Sequence, residues 1–175
     1  TDPIGQIPPP VLDVPGLSGT STRRIAIYRS WNPSMDEGWT RFVFDQYHIP
    51  FTVIGDRDVH AGKLAERFDA IVIPDESPRG LQTGPREKFY PDSLKGGLGV
   101  TGDTALLEFV RAGGTLITFN DASRWAIGAL SLPVRDVLAG LTDRDFYAPG
   151  SLLALNIAPS HPLNRLMLAH PAAWI

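Results

Sequence analysis

The groups able to do chemistry in this chain gather just beyond its apolar runs. Asp75 and Glu76 follow Ala70-Ile71-Val72-Ile73-Pro74, and Asn120, Asp121 and Ser123 follow Leu116-Ile117-Thr118-Phe119. Asn32 and Ser34 come after Ile25-Ala26-Ile27-Tyr28, and His161 comes after an apolar run over residues 152–157. Carboxylates exchange protons or accept hydrogen bonds from a ligand, and a serine hydroxyl becomes a nucleophile only beside a base that takes its proton. Ser123 or Asp121 as nucleophile with His161 as base is therefore one reading. Asn32, Asp75, Glu76 and Asn120 as the polar wall of a small-ligand cleft is a second. A third assigns them no chemistry, because short polar residues cap helices and form turns at such places in any α/β protein.

These residues share a site only if the elements between them build one sheet. The short apolar runs over 25–28, 51–54, 70–73, 116–119 and 152–157 read as five strands. Ser34 and Glu37 have capping-box spacing, and Trp39, Phe42, Val43 and Tyr47 follow as an i, i+3, i+4, i+8 stripe, so a helix starts there and ends before Pro50. The aromatic cluster Trp31, Trp39, Phe42, Phe44 and Tyr47 is expected to be mostly core, with Trp31 exposed at an interface. A short helix is expected near 61–67. Another, capped by Thr101 or Asp103, should carry Leu106, Leu107 and Val110 and close at Gly113-Gly114, and a further helix should run from about Ser123. Residues 74–102 are rich in Gly, Pro and charge and read as one long loop. Alternation of strand and helix predicts a mostly parallel sheet of about five or more strands covered on both faces, a three-layer flavodoxin-like sandwich. In such a sheet ligands bind beyond the C-terminal strand ends, where the polar groups above would lie.

Composition removes several function classes. The chain has 175 residues, 16 Lys+Arg against 19 Asp+Glu, and a formal net charge of −3, with no basic footprint for nucleic acid. There is no cysteine, so thiol nucleophiles, thiolate metal sites and disulfides are excluded within it. His48, His60, His161 and His170 show no His-x-x-Glu or His-Glu-x-x-His spacing, which leaves a helical zinc site unsupported. No Gly-x-Ser-x-Gly elbow and no phosphate loop with Gly-Lys-Ser/Thr occurs, and no apolar run approaches the ~20 residues of a membrane span. Gly97-Leu98-Gly99-Val100-Thr101-Gly102 matches a dinucleotide fingerprint, with Asp121 after the next strand. The fingerprint needs a strand directly before its glycines, and the proline-containing stretch ahead of Lys95 does not read as one, so a loop entering a helix is expected instead.

Residues 1–22, with Pro3, Pro8, Pro9, Pro10 and Pro15 followed by a Gly/Ser/Thr stretch, read as an interdomain linker, and 23–175 as one domain. The start at Thr1 and the end at Trp174-Ile175 suggest a segment of a longer polypeptide.

Arg24-Ile25-Ala26-Ile27-Tyr28-Arg29-Ser30-Trp31 and Met35-Asp36-Glu37-Gly38-Trp39-Thr40-Arg41 resemble the accessory domain of bacterial zinc carboxypeptidase-like proteins. In these, a class I glutamine amidotransferase-like domain follows a carboxypeptidase A-type metallopeptidase domain. Phe68-Asp69-Ala70-Ile71-Val72-Ile73-Pro74-Asp75, Gly113-Gly114-Thr115-Leu116, Leu132-Pro133-Val134-Arg135-Asp136-Val137-Leu138, residues 146–151 and Ser160-His161-Pro162-Leu163 carry the resemblance on. It covers about residues 23–175 and rests on the order of the segments rather than on one motif. The resemblance implies an amidotransferase-like sandwich without its machinery: the turn matching the family's catalytic cysteine is Phe119-Asn120-Asp121-Ala122-Ser123, and Leu163 stands where the family has an acid. It therefore implies a non-enzymatic accessory domain that binds no cofactor, zinc belonging to the peptidase domain outside this chain. The implied partners are that peptidase domain, a second copy, or a peptide or cell-wall substrate, in a periplasmic or secreted setting.

Overall fold

Apolar runs of three or four residues form the strands of a computed structural model that describes residues 23–85, 90–91, 95–158, 160–161, 164, 167 and 171–174. The linker expected over 1–22, together with Leu163 and His170, lies outside these residues. In chain order the elements are β1 (Ile25–Tyr28), α1 (Met35–Gln46), β2 (Thr52–Ile54), α2 (Asp56–His60), α3 (Leu64–Arg67) and β3 (Ala70–Ile73). There follow α4 (Pro78–Thr83), α5 (Gly99–Arg111), β4 (Thr115–Thr118), α6 (Asp121–Ala129), β5 (Leu152–Ala154) and β6 (Ala172–Trp174). The described residues fall into two compact units that part at Arg135 and Asp136.

The first unit holds an all-parallel sheet in the order β2-β1-β3-β4, with helices on its faces, so the α/β sandwich expected from the alternation is present. Its strand count is four. The fifth strand expected over 152–157 is instead a short exposed strand, β5, that pairs antiparallel with β6 in a separate two-stranded sheet of the second unit. A parallel neighbour needs a long crossover, usually a helix, and no helix forms between α6 and β5.

Because side chains alternate along a strand, the register sorts the sheet into two faces. Ala26, Tyr28, Ile54, Ile71, Ile73 and Leu116 point one way, into a cluster with Val59, Leu64, Leu81, Leu98, Leu106, Phe109 and Trp125 from α2 to α6 and the turn before α5. Ile27, Val53, Val72 and Ile117 form one row on the other face, where α1 packs on β1. The centre of that row is buried, but its ends are not: Val53 is 39% and Ile117 40% exposed. The aromatic stripe of α1 is likewise not core, since Trp39 is 58% exposed and Phe42 and Val43 are exposed too. A single helix is too narrow to cover four strands. Trp31 is exposed, as expected.

Local chemistry explains most element boundaries. Ser34 Oγ accepts from the Glu37 amide at 3.4 Å, one half of the expected capping box. The other half is absent, because the buried Glu37 carboxylate turns to Arg41 Nε at 2.7 Å, a partner one turn along the helix. The helix expected near 61–67 is two, α2 and α3, divided where Gly62 and Lys63 take positive φ. Inside the expected loop, Ser77 Oγ accepts from the Gly80 amide at 3.0 Å and starts α4, with Pro78 in its first turn. Helix α5 begins at Gly99, ahead of Thr101 and Asp103, and Leu98 rather than a polar side chain stands at its start. At the head of the sheet Arg24 pairs with Asp69 at 2.7 Å, which ties β1 to β3 and holds the Asp69 carboxyl down at about 2.

Candidate functional site

The order β2-β1-β3-β4 places β2 and β3 on opposite sides of β1, so the loops after β1 and β3 diverge and leave a crevice between them. Ser30 and Asn32 come to it from the β1 loop, Glu76, Ser77 and Arg79 from the β3 loop and α4. They line a cavity of about 350 Å³. Ser30 Oγ donates to Glu76 Oε2 at 2.9 Å across the crevice, and the Ser77 amide donates to Glu76 Oε1 at 3.2 Å. A Cβ at Gly80 would stand 2.5 Å from Glu76 Oε1, so the glycine leaves that carboxylate its place. Beneath the crevice the buried Tyr28 hydroxyl donates to Asp56 Oδ1 at 2.5 Å. Burial, and then the negative charge of Asp56, push the Tyr28 phenol well above its ordinary range, so it stays a donor.

The second polar group lies at the ends of β3 and β4. Asn120, between β4 and α6, has φ 45° and ψ −121°, a conformation that side chains other than glycine adopt only under strain. It makes the sharp strand-to-helix turn on which α/β enzymes mount a nucleophile, the following amide serving as an oxyanion donor. Here the following amide, that of Asp121, already donates to Asp75 Oδ1 at 3.0 Å. The Asp121 carboxylate pairs with Arg124 at 3.2 Å. Ser123 lies inside α6 and donates its hydroxyl proton to the Thr118 carbonyl at 3.0 Å, with Thr118 Oγ1 3.1 Å away. Its proton therefore goes to backbone.

The residues predicted from sequence are thus divided. Asn32 and Glu76 share the crevice between β1 and β3. Asp75 and Asn120 share a larger groove of about 510 Å³ beside α1. The single cleft expected for all four is thus two, and Asp75 and Glu76 meet only at a small pocket of about 10 Å³ between them. His161 belongs to the second unit, where its amide donates to the Ala158 carbonyl at 3.1 Å. Among the described residues no three His, Asp or Glu side chains are placed to hold a metal ion.

Two features were missed at the level of sequence. Tyr28 reads there only as the last residue of a strand, and its long-range bond to Asp56 leaves no local trace. The groove-lining Trp39 reads as core, and Phe119 only as the end of a strand, because apolar spacing does not say whether a partner layer exists. The glycine-rich match at 97–102 meets no strand among the described residues before it. Gly99 opens α5, and a Cβ at Gly97 would lie 2.5 Å from the Leu81 carbonyl oxygen, so close packing accounts for that glycine.

Comparison with family models, with curated proteins and with solved structures finds no match.

Proposed function

We propose that this chain is a non-catalytic, glutamine amidotransferase-like accessory domain of a zinc carboxypeptidase-like protein. It serves contacts with the peptidase domain, with a second copy or with substrate. The observation that carries the non-catalytic part is the turn between β4 and α6. Its tip is Asn120, a carboxamide with no nucleophilic character, and the amide that would receive an oxyanion is held by the Asp75 carboxylate. A developing negative charge there would meet a fixed one. The parentage rests on the sequence resemblance, and zinc in this reading is bound by residues outside this chain.

The competing reading, a hydrolase using Ser123 or Asp121 with His161, is tested directly. The folded chain is treated with a fluorophosphonate probe and, separately, assayed for ammonia release from glutamine. Ser123 is expected to remain unlabelled and ammonia to stay at background. Labelling that vanishes in both Ser123→Ala and His161→Ala would sink the non-catalytic reading.

A further inference from the structure

We propose that the groove between α1 and the end of β4 receives a lysine or arginine side chain presented by an extended peptide segment of a partner. This rests on the contact-module reading and names what that contact recognises. The groove encloses about 510 Å³ and is walled by Trp39, Phe44 and Phe119, and Asp36 in the first turn of α1, with Asp75 and Asn120 just past β3 and β4, also lines it. Among the described residues no lysine, arginine or histidine lines it. Trp39 and Phe119 (43% exposed) present ring surface to solvent. Aromatic faces attract a cation through their quadrupole, and two carboxylates beside them add a field of one sign. Asp75 has Oδ1 on the Asp121 amide, while Oδ2 and the Asp36 carboxylate accept no hydrogen bond among the described residues. Aromatic walls and two carboxylates in one groove match a long aliphatic stem that carries a positive head.

Two observations select a peptide from among cationic ligands. The Thr115 amide donates to the Asp69 carbonyl just before β3 and the Phe119 amide to that of Ile73, so those of Leu116 and Thr118 turn to the opposite edge of β4, and among the described residues β4 pairs only with β3. The Thr118 carbonyl is taken by Ser123, which leaves the Leu116 amide and carbonyl to meet an added extended chain. A second copy of this protein is disfavoured as occupant, because a twofold pairing would set this acidic patch against itself.

The test is a ¹⁵N NMR titration of the chain with the N-acetylated, C-amidated pentapeptide Val-Thr-Lys-Val-Thr and with the same peptide carrying norleucine for lysine. Amides of residues 36–44 and 117–121 should shift. The lysine peptide should bind about tenfold more tightly than its neutral analogue, and Asp36→Asn and Trp39→Ala should each lose about as much. Equal binding of both peptides would overturn the proposal, as would no shift at these residues in a folded spectrum. So would concentration-dependent broadening there without peptide that Trp39→Ala removes, the mark of a second copy. A failed titration with Ser123 unlabelled removes this inference alone, whereas a labelled Ser123 removes the non-catalytic reading alone.

Discussion

The two faces of the sheet are made from the same kinds of residue and have different fates. On one, Ala26, Tyr28, Ile54, Ile71 and Ile73 meet five helices and are buried. On the other, Ile27 and Val72 are buried while Val53, Ile117 and most of the α1 stripe stay exposed. Strand alternation supplies both faces equally, so the difference comes from how many helices the connections deliver to each side. The first face is a core that stabilises the fold. The second is a surface with the composition of a core.

The sharpest way to break this comparison is one large truncation on each face. Phe109→Ala empties a site closed on all sides, where even the neighbouring Gly114 has no room for a Cβ beside the ring. It should cost about 3–5 kcal/mol in urea unfolding. Trp39→Ala removes a larger side chain but should cost only about 0.5 kcal/mol, as surface substitutions do. Similar losses from the two variants would mean that the α1 face is core after all.

Next in size is Tyr28→Phe, which leaves the Asp56 carboxylate without its buried donor and should cost about 1–3 kcal/mol. Its pH dependence has a definite sign. The folded-state phenol titrates above the ordinary tyrosine range, so between the two values the native state holds a proton that the unfolded state has lost. Stability from this group is complete below about pH 10 and falls as pH rises beyond it. Unfolding followed from pH 8 to 11 should show this decline in the parent and a shallower one in Tyr28→Phe. Parallel curves would refute the assignment.

The smallest effect has the opposite direction. Asn120→Gly relieves the strain at this turn and should raise stability by up to about 1 kcal/mol, offset in part by the greater freedom of glycine in the unfolded chain. A loss of stability on this change would show that the carboxamide makes a contact worth more than the strain.

Much of this fold was legible beforehand. Four apolar runs became four parallel strands, and the helix starts at Ser34 and near Ser123 were nearly right, because capping is a local interaction within one turn. The helix hidden in 74–102 was signalled by Ser77-Pro78 but too short for its periodicity to register. The run at 152–157 has strand composition in either setting. Its three strand residues pair with β6, not with the parallel sheet, and composition does not name a strand's partner.

By itself the sequence determined the α/β class, the absence of cysteine chemistry, and the placing of Asp75, Glu76, Asn120 and Asp121 at strand ends. These follow from residue type and from interactions a few residues long. Only the tertiary structure decided that Asp75 turns to the Asp121 amide while Glu76 bonds Ser30, that Ser123 gives its proton to Thr118, and that the α1 stripe faces solvent. The first two contacts join residues 46 apart, and the last depends on which helices cover which face. Side-chain partners and exposure are set by the crossing of distant elements, and no local pattern encodes them.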